Sequence, residues 1–273
     1  MVFIIQQRRK HMDYNEELHQ QDLQRLRGLR LIDDDFMTAC FDNYIEGAQL
    51  LLNIILDRND LTVTEVRAQK VMKNLCGRDV WLDIYAMDTN CIRYNVEVQR
   101  ADKGADRKRA RYHSSIMDAD MLKAGEDYSM IDESYVIFIT ENDVLGWGLP
   151  VYHVERHIDE CNFLPFDDGE HIIYVNGELR PSNTALGKLM IDFFCTDANN
   201  MNYKELSDRV RFYKETEKGV NTMCKAMDDM RNDVRIENAR KMIDSGKLSL
   251  EDIAEFSGLS IEKIRELAGN KTA

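Results

Sequence analysis

From Asp33 onward apolar residues recur at helical spacing: Phe36, Cys40, Ile45, Leu50, Leu51, Ile54 and Ile55. Three aspartates at 33–35 favour a helix N-terminus, so the pattern predicts a helix from there, interrupted near Gly47. The period then shortens. Leu61–Gln69 alternates and is rich in β-branched residues, and Val80–Met87 and Ile92–Gln99 follow as two more strands joined by the turn Asp88-Thr-Asn-Cys. A helix is predicted over Asp102–Leu122. Tyr135–Thr140 is a near-continuous apolar run, as expected of a strand buried on both faces, and Val151–Val154 and Ile172–Gly177 are shorter strand candidates. Beyond Pro181 the strand signal stops. Leu186–Phe194 and Tyr203–Ile236 read as helices, and Leu248–Leu267 holds two short amphipathic helices around Gly258, the spacing of a helix-turn-helix. The residues before Leu29 are polar with weak periodicity and read as a leader or an exposed helix.

This order predicts an α/β fold, a mixed β-sheet core flanked by helices with an α-helical C-terminal extension. The expected divisions are a polar leader at 1–30, a core at 31–195 and a helical region at 196–273. The 273 residues suit one large domain with an appendage, at about 100–200 residues per domain. With 44% hydrophobic residues and only 3 prolines the chain can build a core and has little room for linkers. Six cysteines stand singly with no Cys-x-x-Cys pair, which argues against a zinc knuckle and for reduced thiols. The apolar run Val2–Ile5 is too short for a signal peptide, and no stretch approaches the length of a membrane helix, so a cytoplasmic protein is expected. The net charge of −13 opposes generic binding to a polyanion.

The chemistry concentrates in residues 82–111. In a strand alternate residues share a face, so Glu97 and Gln99 point one way while Val96 and Val98 point toward the core. Asp83, between Leu82 and Ile84, is expected to oppose the core as well. Two carboxylates on paired strands suit a hard divalent cation, because Mg²⁺ takes one or two carboxylates and completes its shell with water and phosphate oxygens. The competing reading is a solvent-facing strand with ordinary polar residues. Immediately afterwards Arg100, Lys103, Arg107 and Arg111 step by three or four along one face of the predicted helix, with Lys108 and Arg109 beside them. Six basic residues against Asp102 and Asp106 give a local excess of +4 where a nucleic-acid backbone would pass.

Taken in order, Asp83, the hairpin, Val96-Glu-Val-Gln-Arg-Ala-Asp-Lys-Gly, Arg109-Ala-Arg-Tyr-His-Ser-Ser and Tyr135-Val-Ile-Phe-Ile-Thr-Glu-Asn-Asp-Val-Leu-Gly resemble the PD-(D/E)XK nuclease family transposases, also called recombination-promoting nucleases. The resemblance runs from about Leu29 to Asp228 and includes Leu31-Ile-Asp-Asp-Asp-Phe-Met. It implies a restriction-endonuclease-like core and a Mg²⁺- or Mn²⁺-dependent deoxyribonuclease. Carried over, Asp83 is the motif aspartate, Glu97 the second acidic ligand, and Gln99 stands where the broader superfamily has lysine. Glutamine can hold water or a phosphate oxygen but supplies neither charge nor a proton. The motif's proline is absent before Asp83, where Trp81-Leu82 stands. Glu46 is the candidate for a further acidic ligand from the first helix, with Asp34 its competitor. Arg100, Lys103, Arg107, Arg111 and Tyr112 are the expected DNA contacts, Tyr112 being equally compatible with a core position. DNA is the implied partner, a homodimer is left open, and neither a membrane nor a nucleotide cofactor is expected.

Other signals carry less. His153 and His157 flank Glu155 at a spacing of four, yet the segment reads as strand turning to loop, a poor zinc site. Met223, Met227 and Met230 form a core stripe. The terminal helix pair carries Glu251, Asp252, Glu255, Glu262 and Glu266, a poor footprint for phosphate. The alternative to a nuclease is a catalytically degenerate nuclease-fold module that binds DNA or protein.

Overall fold

A computed structural model of the chain describes residues 16–74, 77–100 and 102–269, with Asp102 and Lys103 described by their backbone only. Two compact units are present: one runs from Arg27 to Lys214, and the other combines the described N-terminal residues through Leu26 with those from Glu215 onward.

After the helical segment α1 over 16–28, the larger unit opens with α2 (Asp34–Phe41) and α3 (Ile45–Ile55). The predicted interruption falls at 42–44, where Asn43 takes a left-handed backbone (φ 52°); Gly47 lies inside α3, with the Tyr44 ring in the space a Cβ would need. Six strands then form a mixed sheet: β1 (Val63–Met72), β2 (Val80–Asp88), β3 (Arg93–Gln99), β4 (Ser134–Thr140), β5 (Val151–Val154) and β8 (Glu170–Asn176), ordered β1-β2-β3-β4-β8-β5. The first three strands are antiparallel neighbours; β3, β4 and β8 run parallel, and β5 returns antiparallel to β8. A small ribbon of β6 (His157–Ile158) and β7 (Leu164–Pro165) stands apart from this sheet.

Parallel neighbours need a crossover, and α4 (Arg107–Met121) supplies the one between β3 and β4. It starts later than the apolar pattern predicts: residues 102–105 form a 3₁₀ turn, and the Asp106 side chain accepts from the Lys108 N–H at 2.7 Å to cap the α-helix proper. Ala110 and Met117 of α4 pack with Val136, Phe138 and Tyr174, and the Phe138 ring stacks on Tyr174 at 5.4 Å. The alternate residues Val96, Val98, Ile137, Ile139 and Val175 are buried as well. The sheet centre is therefore dry on both sides, and every residue of β4 is buried, as its apolar run implies.

After β8 come α5 (Ala185–Phe194) and α6 (Lys204–Glu215). The expected single helix over 203–236 is two: Thr216 caps α7 (Glu217–Ser245) by accepting from the Gly219 N–H at 3.1 Å. In the smaller unit Met223, Cys224 and Met227 are buried on α7, and Arg231 pairs with the buried Asp22 at 2.7 Å. The tail forms α8 (Leu250–Ser257) and α9 (Ile261–Gly269), set off by left-handed glycines at 246 and 258 and by a capping box between Ser249 and Asp252. Ile253, Ile264 and Leu267 bury their side chains with Ala239 of α7, so the helix pair uses its apolar faces for packing. Among the described residues no helix is long and apolar enough to cross a membrane.

Phe138 joins the α4 layer to the sheet beside Glu97, its register partner on β3. Phe138→Ala is expected to lower unfolding free energy by about 3–5 kcal/mol, measured by urea denaturation, whereas Phe138→Leu is expected to lose less than about 1.5 kcal/mol.

Candidate active site

The β1–β2 and β3–β4 ladders run past Asp83 and Glu97, reaching Met72↔Val80 and Gln99↔Thr140. Between β2 and β3 the ladder stops at Ile84↔Val96. Beyond that point side chains replace the backbone acceptors. The Asp83 N–H donates to Glu97 Oε1 at 3.3 Å, and the Val98 N–H donates to Asp83 Oδ2 at 3.0 Å. The two strands part, and the two predicted carboxylates fill the gap.

Both are buried: Glu97 is 0% exposed and Asp83 8%. This corrects the expectation that Asp83, Glu97 and Gln99 face away from the core, and it removes the reading of a solvated polar strand. The crossover helix covers that face, so the polar side of β3 looks into a second packed layer. Within it Arg109 Nη2 donates to Glu97 Oε2 at 2.8 Å, and Arg109 Nε donates to His113 Nε2 at 3.3 Å. The other ring nitrogen, Nδ1, lies 3.4 Å from Glu97 Oε1 and 3.1 Å from Asn95 Nδ2. Asn95 Oδ1 is buried without a partner among the described residues.

Asp83 is the electrostatically loaded group. Burial first, then the Glu97 charge, push its carboxyl up to about 7, against the pull of the Val98 N–H; Asp34 adds to the rise. Asp34 is itself raised, chiefly by burial and then by Asp35 and Glu97. Gln69 connects these groups, with its Nε2 3.3 Å from Asp34 Oδ1, 3.3 Å from Thr38 Oγ1 and 3.5 Å from Asp83 Oδ1. It does so from a left-handed backbone (φ 52°) in the middle of β1, directly across from Asp83 in the strand register.

The remaining predicted residues divide. Gln99 is half-buried at the end of β3, its side-chain oxygen in the place a Cβ on Gly104 would take. Glu46 is exposed in the first turn of α3 and makes no hydrogen bond to Asp83, Glu97 or Gln69, so the acidic group that α2 and α3 bring to the site is Asp34. The four cations do not share one helical face. Arg100 sits in the bend after β3, paired with Asp33 at 2.9 Å and Glu141 at 3.4 Å, and Lys103 lies in the 3₁₀ turn with its side chain outside the described residues. Arg107 and Arg111 are on α4 and exposed. Tyr112 is also exposed at the surface; its hydroxyl donates to the Arg78 carbonyl at 2.7 Å and accepts from Asn74 Nδ2 at 3.0 Å.

The sequence reading missed Arg109, His113, Asn95 and Gln69. Arg109 and His113 stand four apart on α4, a spacing that places both over one strand residue. Nothing in the sequence marks Gln69, because its position depends on a backbone conformation. Elsewhere His153 and His157 are exposed, and among the described residues no group of three or more His, Cys, Asp or Glu side chains is arranged to enclose a metal. The five described cysteines are free, Cys76 lying outside the described residues.

The donor set nonetheless fits a hard divalent ion. The buried carboxyls of Asp83 and Glu97 repel one another with the exposed Asp34 adding to the repulsion from the edge of the gap, Asp83 Oδ1 has only a long contact to Gln69, and Mg²⁺ needs no more than one or two carboxylates. This geometry agrees with a sequence comparison: residues 48–176 match the family model of PD-(D/E)XK nuclease family transposases. The chain is similar to that family over this segment. Its mixed sheet, flanking helices and carboxylates on adjacent strands are the restriction-endonuclease-like arrangement. No curated protein and no solved structure matches the chain.

Because the Asp83 carboxyl binds its proton more tightly in the folded than in the unfolded chain, folding is favoured at low pH and the contribution is lost as pH rises from about 4 to about 7. In metal-free protein Asp83→Asn is therefore expected to raise Tm relative to the parent, with the difference growing between pH 5 and pH 8 in calorimetric scans.

Proposed function

We propose that the chain is a metal-dependent DNA endonuclease that hydrolyses phosphodiester bonds, of the transposase or recombination-promoting type. The observation that carries this reading is the parting of β2 from β3 around Asp83 and Glu97, with Asp34 pressing on the same gap and the cationic helix α4 over it.

In this reading Asp83 and Glu97 hold Mg²⁺ or Mn²⁺, with Asp34 as the contributor from α2. The bound ion supplies a water of lowered pKa and offsets charge on the scissile phosphate. Gln99 positions the attacking water or a phosphate oxygen through its amide, and takes no part in proton transfer. Arg109 holds the Glu97 carboxylate in register and neutralises it while the gap is empty of other cations. Arg107 and Arg111, exposed on α4, take the DNA phosphates together with Lys103 and the Tyr112 edge, whereas Arg100 acts through its ion pairs with Asp33 and Glu141. A second reading, a nuclease-fold module that binds DNA without cutting it, draws on Gln99 at the lysine position and on an Arg109–Glu97 pair that already satisfies Glu97.

Purified protein with Mg²⁺ or Mn²⁺ is expected to nick or cut DNA at a rate that Glu97→Ala lowers at least about a hundredfold. Cleavage no faster than that of the variant sinks the nuclease reading. Calorimetric titration with Mn²⁺ separates the two readings, since the module alone predicts no affinity that Asp83→Asn with Glu97→Gln removes. A methyl group at 104 displaces the flexible end of Gln99, which the fold tolerates. Gly104→Ala is accordingly expected to slow cleavage ten- to a hundredfold, as small misplacements of positioning groups do, with unchanged Tm.

A further inference from the structure

The chain contains 2 tryptophans, and neither is in the core: Trp81 is 56% exposed and Trp147 77%. An exposed indole offers a flat π-face and an N–H to whatever lies against it, and its meaning depends on what surrounds it. Trp81 stands on β2 two residues before Asp83 and lines a cavity of about 1260 Å³ with Arg78, Lys108, Arg111 and Tyr112. Arg109 and His113 line the same cavity, and both touch Glu97, so its inner wall is the outer wall of the carboxylate gap.

The charge of this cavity is as telling as its ring. Arg78, Lys108 and Arg111 have no ion-pair partner among the described residues, and the cavity's own acid, Asp79, is paired with Lys73 at 2.8 Å. In a chain of net charge −13, three cations without an ion-pair partner among the described residues, gathered around one indole, make a locally positive cavity wall suited to an anion. A duplex presents phosphates outward and keeps its bases stacked inside, where an indole beside the phosphate path cannot reach them. A single strand offers both at once: a phosphate for each cation and a free π-face for each ring.

We propose that this cavity holds an unpaired base of a DNA strand stacked on Trp81, its phosphates on Arg78, Lys108 and Arg111, so that the preferred substrate is single-stranded DNA or a duplex with an unpaired nucleotide. The inference rests on the nuclease reading for which bond is cut, but not for the binding itself. Trp147, which lines a separate cavity of about 520 Å³ with Arg107, is outside it.

The test uses full-length Trp147→Phe protein, in which Trp81 is the sole indole, in EDTA. An oligothymidylate of about twelve nucleotides is expected to quench its fluorescence, and a blunt, fully paired duplex of two separate strands of the same length to leave it unchanged. Trp81→Leu, which keeps an apolar side chain without the ring, is expected to weaken single-strand binding by at least about fivefold in anisotropy titrations while sparing duplex binding. Trp81→Tyr is expected to restore most of the affinity. Asp83→Asn with Glu97→Gln should retain the quenching, so a failed nuclease reading leaves this result standing. Equal quenching by single strand and duplex, no quenching by either, or a Trp81→Leu variant with undiminished preference for single strands overturns the proposal, even if metal-dependent cleavage is found.

Discussion

Everything at the candidate site depends on two strands that stop pairing. A β-sheet normally satisfies its backbone groups through the ladder, and a central strand that loses its neighbour leaves buried N–H groups that must find acceptors elsewhere. Here Asp83 and Glu97 provide them, each carboxylate accepting from the other strand's backbone. The acids are thus structural before they are chemical: they close the hole that their own separation opens. Because anions acting as acceptors give stronger hydrogen bonds than neutral carbonyls, the gap can persist inside a packed sheet, and its cost appears as the raised carboxyl of Asp83.

α4 completes the arrangement from above. As the crossover between parallel strands it has to lie over β3 and β4, and the same geometry that buries Ala110 and Met117 brings Arg109 and His113 to Glu97. Removing the arginine alone would strand a fully buried carboxylate, the situation in which breaking an ion pair is most damaging. The other cations of the run diverge from it. Arg107 turns toward one cavity, Lys108 and Arg111 toward another, and Arg100 into a network with Arg30, Asp33 and Glu141.

Much of this was legible in the residues. The alternating strands, the apolar run of β4 and the helix-rich tail come from hydrophobic periods that tertiary packing does not overturn, and Asp83, Glu97 and Gln99 follow from their places on β2 and β3. Boundaries were less legible where a cap decides them: Asp106 delays α4, and Thr216 divides what reads as one helix. Burial of the polar face was hidden because alternation reports two faces without saying what covers each. Asp34 and Glu46 were indistinguishable as acids near helix starts, and only the packing of α2 against β1 and β2 brings one of them to the gap.

Gln69 shows what that packing exacts from the chain. A non-glycine residue held left-handed inside a strand stores strain that the surrounding ladder must overcome, and its amide reaches Asp34, Thr38 and Asp83 from that conformation. Glycine there would relax the backbone and discard the amide; alanine would keep the strain and discard it too. The position is one where the chain's comfort and the site's geometry pull in opposite directions, so a homologue that has abandoned the chemistry would be free to let glycine in.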